Sequence, residues 1–290
     1  ISIDACSAQV SHGMHISCSL QSGHFCFTLI SNSLFEVCPK VSHNSGVKIE
    51  DSYIYINKCK FRNWNTSSNK EGGGLSVHQE NLTKQRFKFG QMMLKCLNGA
   101  ILQLLNYLFI RNNYTFGISK CSFIRNCAKV KEKFYNRNQM LLKHSGGGGL
   151  HVSNGYVFIS YTKFYHNEAR PYGGALFCNK SVLHISFCQF LKNKIAAKIM
   201  INSFAIPGSI HIGEVHFGEG GALAFYGLKI KVHHSVFVQN EGIHSSAVYL
   251  SCIKTSDHTI SQVTIKNCMF KENIVHLNFR EDERRHDEHG

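Results

Sequence analysis

The stretch Gly147-Gly-Gly-Leu150-His-Val-Ser-Asn-Gly-Tyr-Val157-Phe-Ile159-Ser-Tyr-Thr162-Lys-Phe164-Tyr-His-Asn167 is followed, six residues on, by a second version of itself. That version reads Gly173-Gly-Ala-Leu176, then Leu183-His-Ile185, then Cys188-Gln-Phe190-Leu-Lys-Asn193. The closing phrase recurs as Cys121-Ser-Phe123-Ile-Arg-Asn126, Ser235-Val-Phe237-Val-Gln-Asn240 and Cys268-Met-Phe270-Lys-Glu-Asn273. Cys59-Lys-Phe61-Arg-Asn-Trp64 is a copy that has lost the Asn. Recurrence in fixed register specifies architecture before it specifies chemistry.

Five and seven residues before each Phe the chain is apolar: Ile54 and Ile56, Phe116 and Ile118, Val157 and Ile159, Leu183 and Ile185, Ile230 and Val232, Val263 and Ile265. Apolar residues two apart mark a strand with one buried face. Fourteen residues before the Phe stand Val47, Leu150, Leu176 and Leu223, mostly preceded by paired small residues such as Gly173-Gly174 and Gly220-Gly221. Paired glycines suit a bend at positive φ or a close backbone approach. Phe164 and Phe190 are 26 residues apart, too few for a βαβ crossover. The spacing suits one turn of a parallel β-solenoid, each turn lying about 4.8 Å from the last. Phe61, Phe123, Phe164, Phe190, Phe237 and Phe270 then form an internal ladder. Asn126, Asn167, Asn193, Asn240 and Asn273 form a second, because an amide donates to one neighbour and accepts from the other.

Gly-Gly-Ala-Leu paired with Phe-x-x-Asn, over residues 44–275, resembles the repeats of bacterial polymorphic outer-membrane autotransporter proteins and the wider pectate-lyase-like group. The resemblance implies an all-β, right-handed, single-stranded parallel β-helix with inserted loops. It specifies no function, since that group includes adhesins and polysaccharide-cleaving enzymes.

Residues 1–43 match the repeat poorly and read as a cap or degenerate turn, with 44–275 as the β-helix and 276–290 as a charged tail. Insertions are expected near 76–113, 127–146, 194–219 and 251–259; Gln91 to Ile110 is apolar enough for a helix packed on the side. No apolar run is long enough to span a bilayer. Starting at Ile1, the chain reads as part of a longer protein.

Among 12 cysteines, Cys59, Cys121, Cys188 and Cys268 share a slot with Thr162 and Ser235, which marks a small buried filler. Cys6, Cys18, Cys26 and Cys38 could staple the N-terminal part. Asn65, Asn81, Asn113 and Asn179 begin glycosylation acceptor phrases and favour an extracellular or cell-surface setting.

The formal charge is +14. Much of it falls in insertions: Lys84, Arg86 and Lys88 in one, Lys129, Lys131, Lys133 and Arg137 in another. Such basic loops suit acidic glycans or cell-surface proteins, since loops on rigid scaffolds are where binding resides. No nucleic-acid motif accompanies them. Carbohydrate-cleaving β-helices need clustered carboxylates. Only Asp4, Asp51 and Asp257 precede the tail, and Glu168 and Glu241 have Lys194 in the slot between them. His233 and His234 would point to opposite faces of a strand, a poor chelate, so neither metal nor cofactor is expected. The expected function is a non-catalytic scaffold for adhesion or for glycan or protein binding, with a polysaccharide lyase or glycoside hydrolase as the alternative.

Overall fold

The structure is a computed structural model. It describes residues 2–4, 7–10, 14–17, 27–37, 46–50, 52–66, 73–79, 114–129, 146–196, 202–206, 209–213, 218–252 and 262–276. These residues are all β, with no helix among them. The expected helix at Gln91 to Ile110 lies outside the described residues.

Parallel strands form four rows, and each row takes one strand per repeat. The first row runs from Met14–Ser17 through Val47–Glu50, Leu75–His78 and Leu150–Ser153 to Val248–Cys252. The second runs from Ser2–Asp4 through Phe27–Ser31, Tyr53–Asn57, Phe116–Ser119 and Tyr156–Ser160 to Gln262–Lys266. The long strands Leu176–Ser186 and Leu223–His233 pass through both, joining them in one 13-stranded sheet. The third row is an eight-stranded sheet that carries the Phe residues, from Ser7–Val10 and Leu34–Val37 to Met269–Lys271. The fourth is a six-stranded sheet of short strands, from Asn65–Thr66 to Ile274–Val275. The result fits a β-helix or solenoid-like description. Asn202–Ile206 and Ser209–Gly213 add an antiparallel hairpin outside the rows.

The interior follows from the repeat. Phe35, Phe61, Phe123, Phe164, Phe190, Phe237 and Phe270 stack in sequence, with ring centroids 4.7 to 5.0 Å apart and planes within 9°. Beside them each Asn holds a corner. The Asn193 Nδ2 donates to Phe164 O at 3.1 Å and to Asn240 Oδ1 at 3.0 Å, and its Oδ1 accepts from Asn167 N and Nδ2, both at 3.0 Å. Trp64 stands in the Asn slot of its turn. Its indole Nε1 donates to Phe35 O at 3.2 Å, the place an Asn Nδ2 takes elsewhere. Its backbone N–H still reaches Asn126 Oδ1 at 3.1 Å.

The cysteine slot is a second internal corner. Cys188 Sγ donates to Ser186 O, as Thr162 Oγ1 does to Ser160 O and Ser235 Oγ to His233 O. Side chains in this slot also accept from a neighbouring rung: Cys59 N–H donates to Cys121 Sγ, Cys121 N–H to Thr162 Oγ1, and Cys188 N–H to Ser235 Oγ. Cys, Thr and Ser interchange there because the slot needs a small group that both donates and accepts. Cys59 and Cys121 lie on adjacent rungs, the bond from Cys59 N–H to Cys121 Sγ measuring 3.3 Å. Cys6, Cys18, Cys26 and Cys38 lie outside the described residues.

The paired glycines divide the work. Gly147, Gly173 and Gly220 have φ of 73°, 56° and 71°. The next residue in each pair meets the neighbouring turn: a Cβ on Gly174 would sit 2.0 Å from Gly221 O.

Boundaries shift from those the sequence suggests. Residues 27–37 form a regular turn, with Phe35 on the ladder and Ile30 facing Ile56. Leu75–His78 pairs with strands on both sides, so the first insertion begins after Gln79, whose carboxamide accepts from Thr115 Oγ1 where the chain re-enters the sheet. Cys127–Lys129 and Lys194–Ile195 belong to the fourth row rather than to insertions.

Phe190→Ala should lower unfolding free energy by about 3–5 kcal/mol in urea denaturation, by removing one ring from a closed stack. Asn193→Ala should cost roughly 2–4 kcal/mol in the same measurement, because it strands the Asn167 N–H and the Phe164 carbonyl in the interior.

Candidate functional site

From Lys60–Arg62 onward the third row is three residues wide, and on both sides of it the chain turns through left-handed backbone. Three residues before the Phe, Asn32, Lys58, Lys120, Tyr161, Phe187, His234 and Asn267 have φ between 48° and 54°. Two residues after it, Asn63, Arg125, His166, Lys192, Gln239 and Glu272 have φ between 52° and 61°. This region favours Gly and Asn; for other L-residues it costs roughly 1–2 kcal/mol each. Bulky aromatic side chains there are outliers, and such outliers cluster at functional sites.

On the first corner Tyr161 and Phe187 are 57% and 47% exposed. Their rings stack at 5.0 Å and 4°, and Phe187 stacks on His234 at 4.9 Å and 12°. Asn267 Nδ2 closes the column at 3.4 Å from His234 Nε2. On the second corner Arg125, His166 and Lys192 are exposed on successive rungs. Partial burial lowers the His166 pKa, and the charges of Lys192, Arg125 and Lys194 lower it further. Lys194 lies 3.8 Å from Glu168. Neither Arg125 nor Lys192 pairs with a carboxylate among the described residues. Between the corners the outward residues include half-buried Ile124, Tyr165, Leu191 and Val238, with Lys163 Nζ 5.5 Å from the Tyr165 ring centre. The arrangement is a strip of mixed apolar and polar side chains with an aromatic edge and a cationic edge.

Two other clusters stand apart from this strip. On the outer side of the first row, Tyr226 Oη donates to Glu219 Oε2 beside Tyr172 and Tyr249. Burial, and then the adjacent Glu219, push the Tyr172 hydroxyl up to about 12 and raise that of Tyr249. On the second row Tyr114 Oη lies 2.9 Å from His184 Nδ1, and the His184 ring is edge-on to Phe158 and His233. Burial lowers the His184 pKa, aided by His233 and Lys231.

The residues singled out from the sequence are dispersed. Lys129 ends the strand Cys127–Lys129, while Lys84, Arg86, Lys88, Lys131, Lys133 and Arg137 lie outside the described residues. Asn81 and Asn113 do too; Asn65 is exposed, and Asn179 is only 7% exposed within its strand. Glu168, Lys194 and Glu241 occupy successive rungs of the fourth row, so a cation separates the two carboxylates. The buried thiols are poor nucleophiles: burial pushes Cys188 up to about 12 and Cys121 well above the usual thiol range. Among the described residues no group of three or more His, Cys, Asp or Glu is placed to hold a metal, and no helix is long and apolar enough to cross a membrane.

Tyr161, Phe187 and His234 escape a sequence reading because nothing in their residue type announces a left-handed corner. Their register, three before each Phe, is the one signal that could have found them. Comparison with protein-family models, curated proteins and solved structures gives no match.

A proton NMR titration should place the His166 midpoint below the ordinary imidazole value. Lys192→Gln should raise it, because removing a nearby cation favours the charged imidazolium. An unchanged midpoint would show that Lys192 does not act on His166.

Proposed function

We propose that this protein is a non-catalytic, extracellular or cell-surface scaffold: a right-handed, single-stranded parallel β-helix whose role is adhesion. The reading places its repeats with those of the autotransporter and pectate-lyase-like proteins they resemble. The observation that carries it is the aromatic corner Tyr161–Phe187–His234. There the chain places exposed, stacked aromatic rings at left-handed positions. Among the described residues left-handed corners recur on every turn, but only on this ridge do they carry a stacked, exposed aromatic column, which serves a surface contact better than it serves stability. The stacked interior keeps the ridge rigid, which lowers the ordering cost of binding. The basic stretches 80–113 and 130–146 extend the same cationic character and would add contacts with acidic glycans or cell-surface proteins.

The Glu219–Tyr226 pair favours a second reading. A carboxylate bonded to a phenol is the raw material of acid–base chemistry, as a polysaccharide lyase or glycoside hydrolase would use it. A glycoside hydrolase needs a second carboxylate. Within the described part of that cluster Glu219 is surrounded by phenols instead.

Two assays on one preparation separate the readings. The scaffold reading expects capture on a glycan array or in a cell-surface pull-down, with no sugar ends released from acidic polysaccharides. Release of unsaturated or reducing ends, lost in Glu219→Gln, would replace it with the enzymatic reading.

A further inference from the structure

We propose that the outer face of the third row, from the rung of Phe123 to that of Phe237, docks an extended acidic segment of a partner protein. Its apolar side chains would lie on Ile124, Tyr165, Leu191 and Val238, and its carboxylates would meet Arg125, Lys163 and Lys192. This inference rests on the scaffold reading and names the partner of the same surface.

Size is the first argument. Four rungs at about 4.8 Å span about 14 Å along the axis, and three residues give about 10 Å of width. A globular partner buries about 800 Å² on each side, far more than this strip offers. A single extended segment fits it: three alternate side chains on one face of a strand span about 13 Å.

Charge is the second. Arg125 and Lys192 are exposed on the same corner without a carboxylate partner among the described residues, on either side of the His166 rung. At the ends of the sheet the carboxylates are already engaged. Glu36 accepts from Arg62 Nη2 at 2.8 Å and from Asn63 Nδ2 at 2.9 Å, and Glu272 accepts from Gln239 Nε2 at 2.7 Å. A second copy of this strip would therefore bring like charges together, which disfavours self-association.

Surface chemistry is the third. Ile124, Leu191 and Val238 offer aliphatic surface, beside the polar groups of Ser122, Lys163, Tyr165 and Gln189 on the same face. The rings of Tyr161, Phe187 and His234 turn their faces to one another, so a sugar ring cannot lie flat along the column. Aliphatic side chains suit both features.

The test is fluorescence anisotropy with a labelled, capped octapeptide of alternating Glu and Leu, beside the same peptide with Lys for Glu. Saturable binding of the acidic peptide and none of the basic one is expected. Arg125→Glu combined with Lys192→Glu should weaken it about ten-fold or more, and Leu191→Asp by a similar factor. Circular dichroism melts check that each variant is folded; these side chains are outside the core. Equal binding of the two peptides, no saturable binding, or full binding by the folded double variant would overturn the proposal. So would an acidic polysaccharide whose binding depends on Arg125 and Lys192 while the peptide's does not. If the peptide fails but the glycan array or pull-down still reports a partner, the docking strip falls and the scaffold reading stands.

Discussion

Everything in this molecule depends on closing the polar groups of its corners from within. In rows of parallel strands a turn finds its backbone partners on the turns beside it, so no turn is complete alone. Strand residues meet that demand through the ladder. The left-handed corner residues do too, as Tyr161 N–H donates to Ser186 O and Arg125 N–H to Tyr165 O. The slot residues beside them instead donate their N–H to a side chain of the next turn, and a buried N–H without a partner costs about 1–3 kcal/mol. The Asn column supplies the answer at one corner and the Cys, Thr and Ser column at the other. Each side chain ties its own turn to another, so the phenylalanines beside it are held in one register and stack within 9° of parallel.

The same closure frees the outside of the corners. Once the inward groups are satisfied, the residue at each left-handed position is chosen by something other than the interior. Over much of the length that choice is Asn or Lys; at Tyr161, Phe187 and His234 it is aromatic. The strip between Tyr161 and Arg125 is thus a product of geometry: two sharp bends bring an apolar and a cationic edge within one short strand of each other.

The interior was legible because it repeats. Phe, Asn and paired Gly declare their roles by spacing, since only one residue type meets each demand. The reading failed where a different residue met the demand by another route. Trp64 donates to the Phe35 carbonyl with an indole, and by residue type it looks like a lost Asn. The turn at 27–37 hides its membership because Thr28 stands where other turns carry an apolar residue, held instead by a 2.9 Å contact with Ser52 Oγ. Ser76 to Gln79 looked like insertion because the Phe that closes their turn comes only after residues 80–113.

The candidate surface was hardly legible, and the basic loops drew attention instead. Charge clustered along the sequence is visible in one dimension, whereas Arg125, His166 and Lys192 lie dozens of residues apart and meet only across rungs. By itself the sequence determined the parallel stack, its register and the chemistry of its interior, because a period and a pattern of side-chain demands are local properties of the chain. Tertiary structure alone decided which exposed residues became neighbours and which of them took left-handed backbone. Both depend on where one turn's corner falls against the next, and insertions of any length leave that placement unchanged.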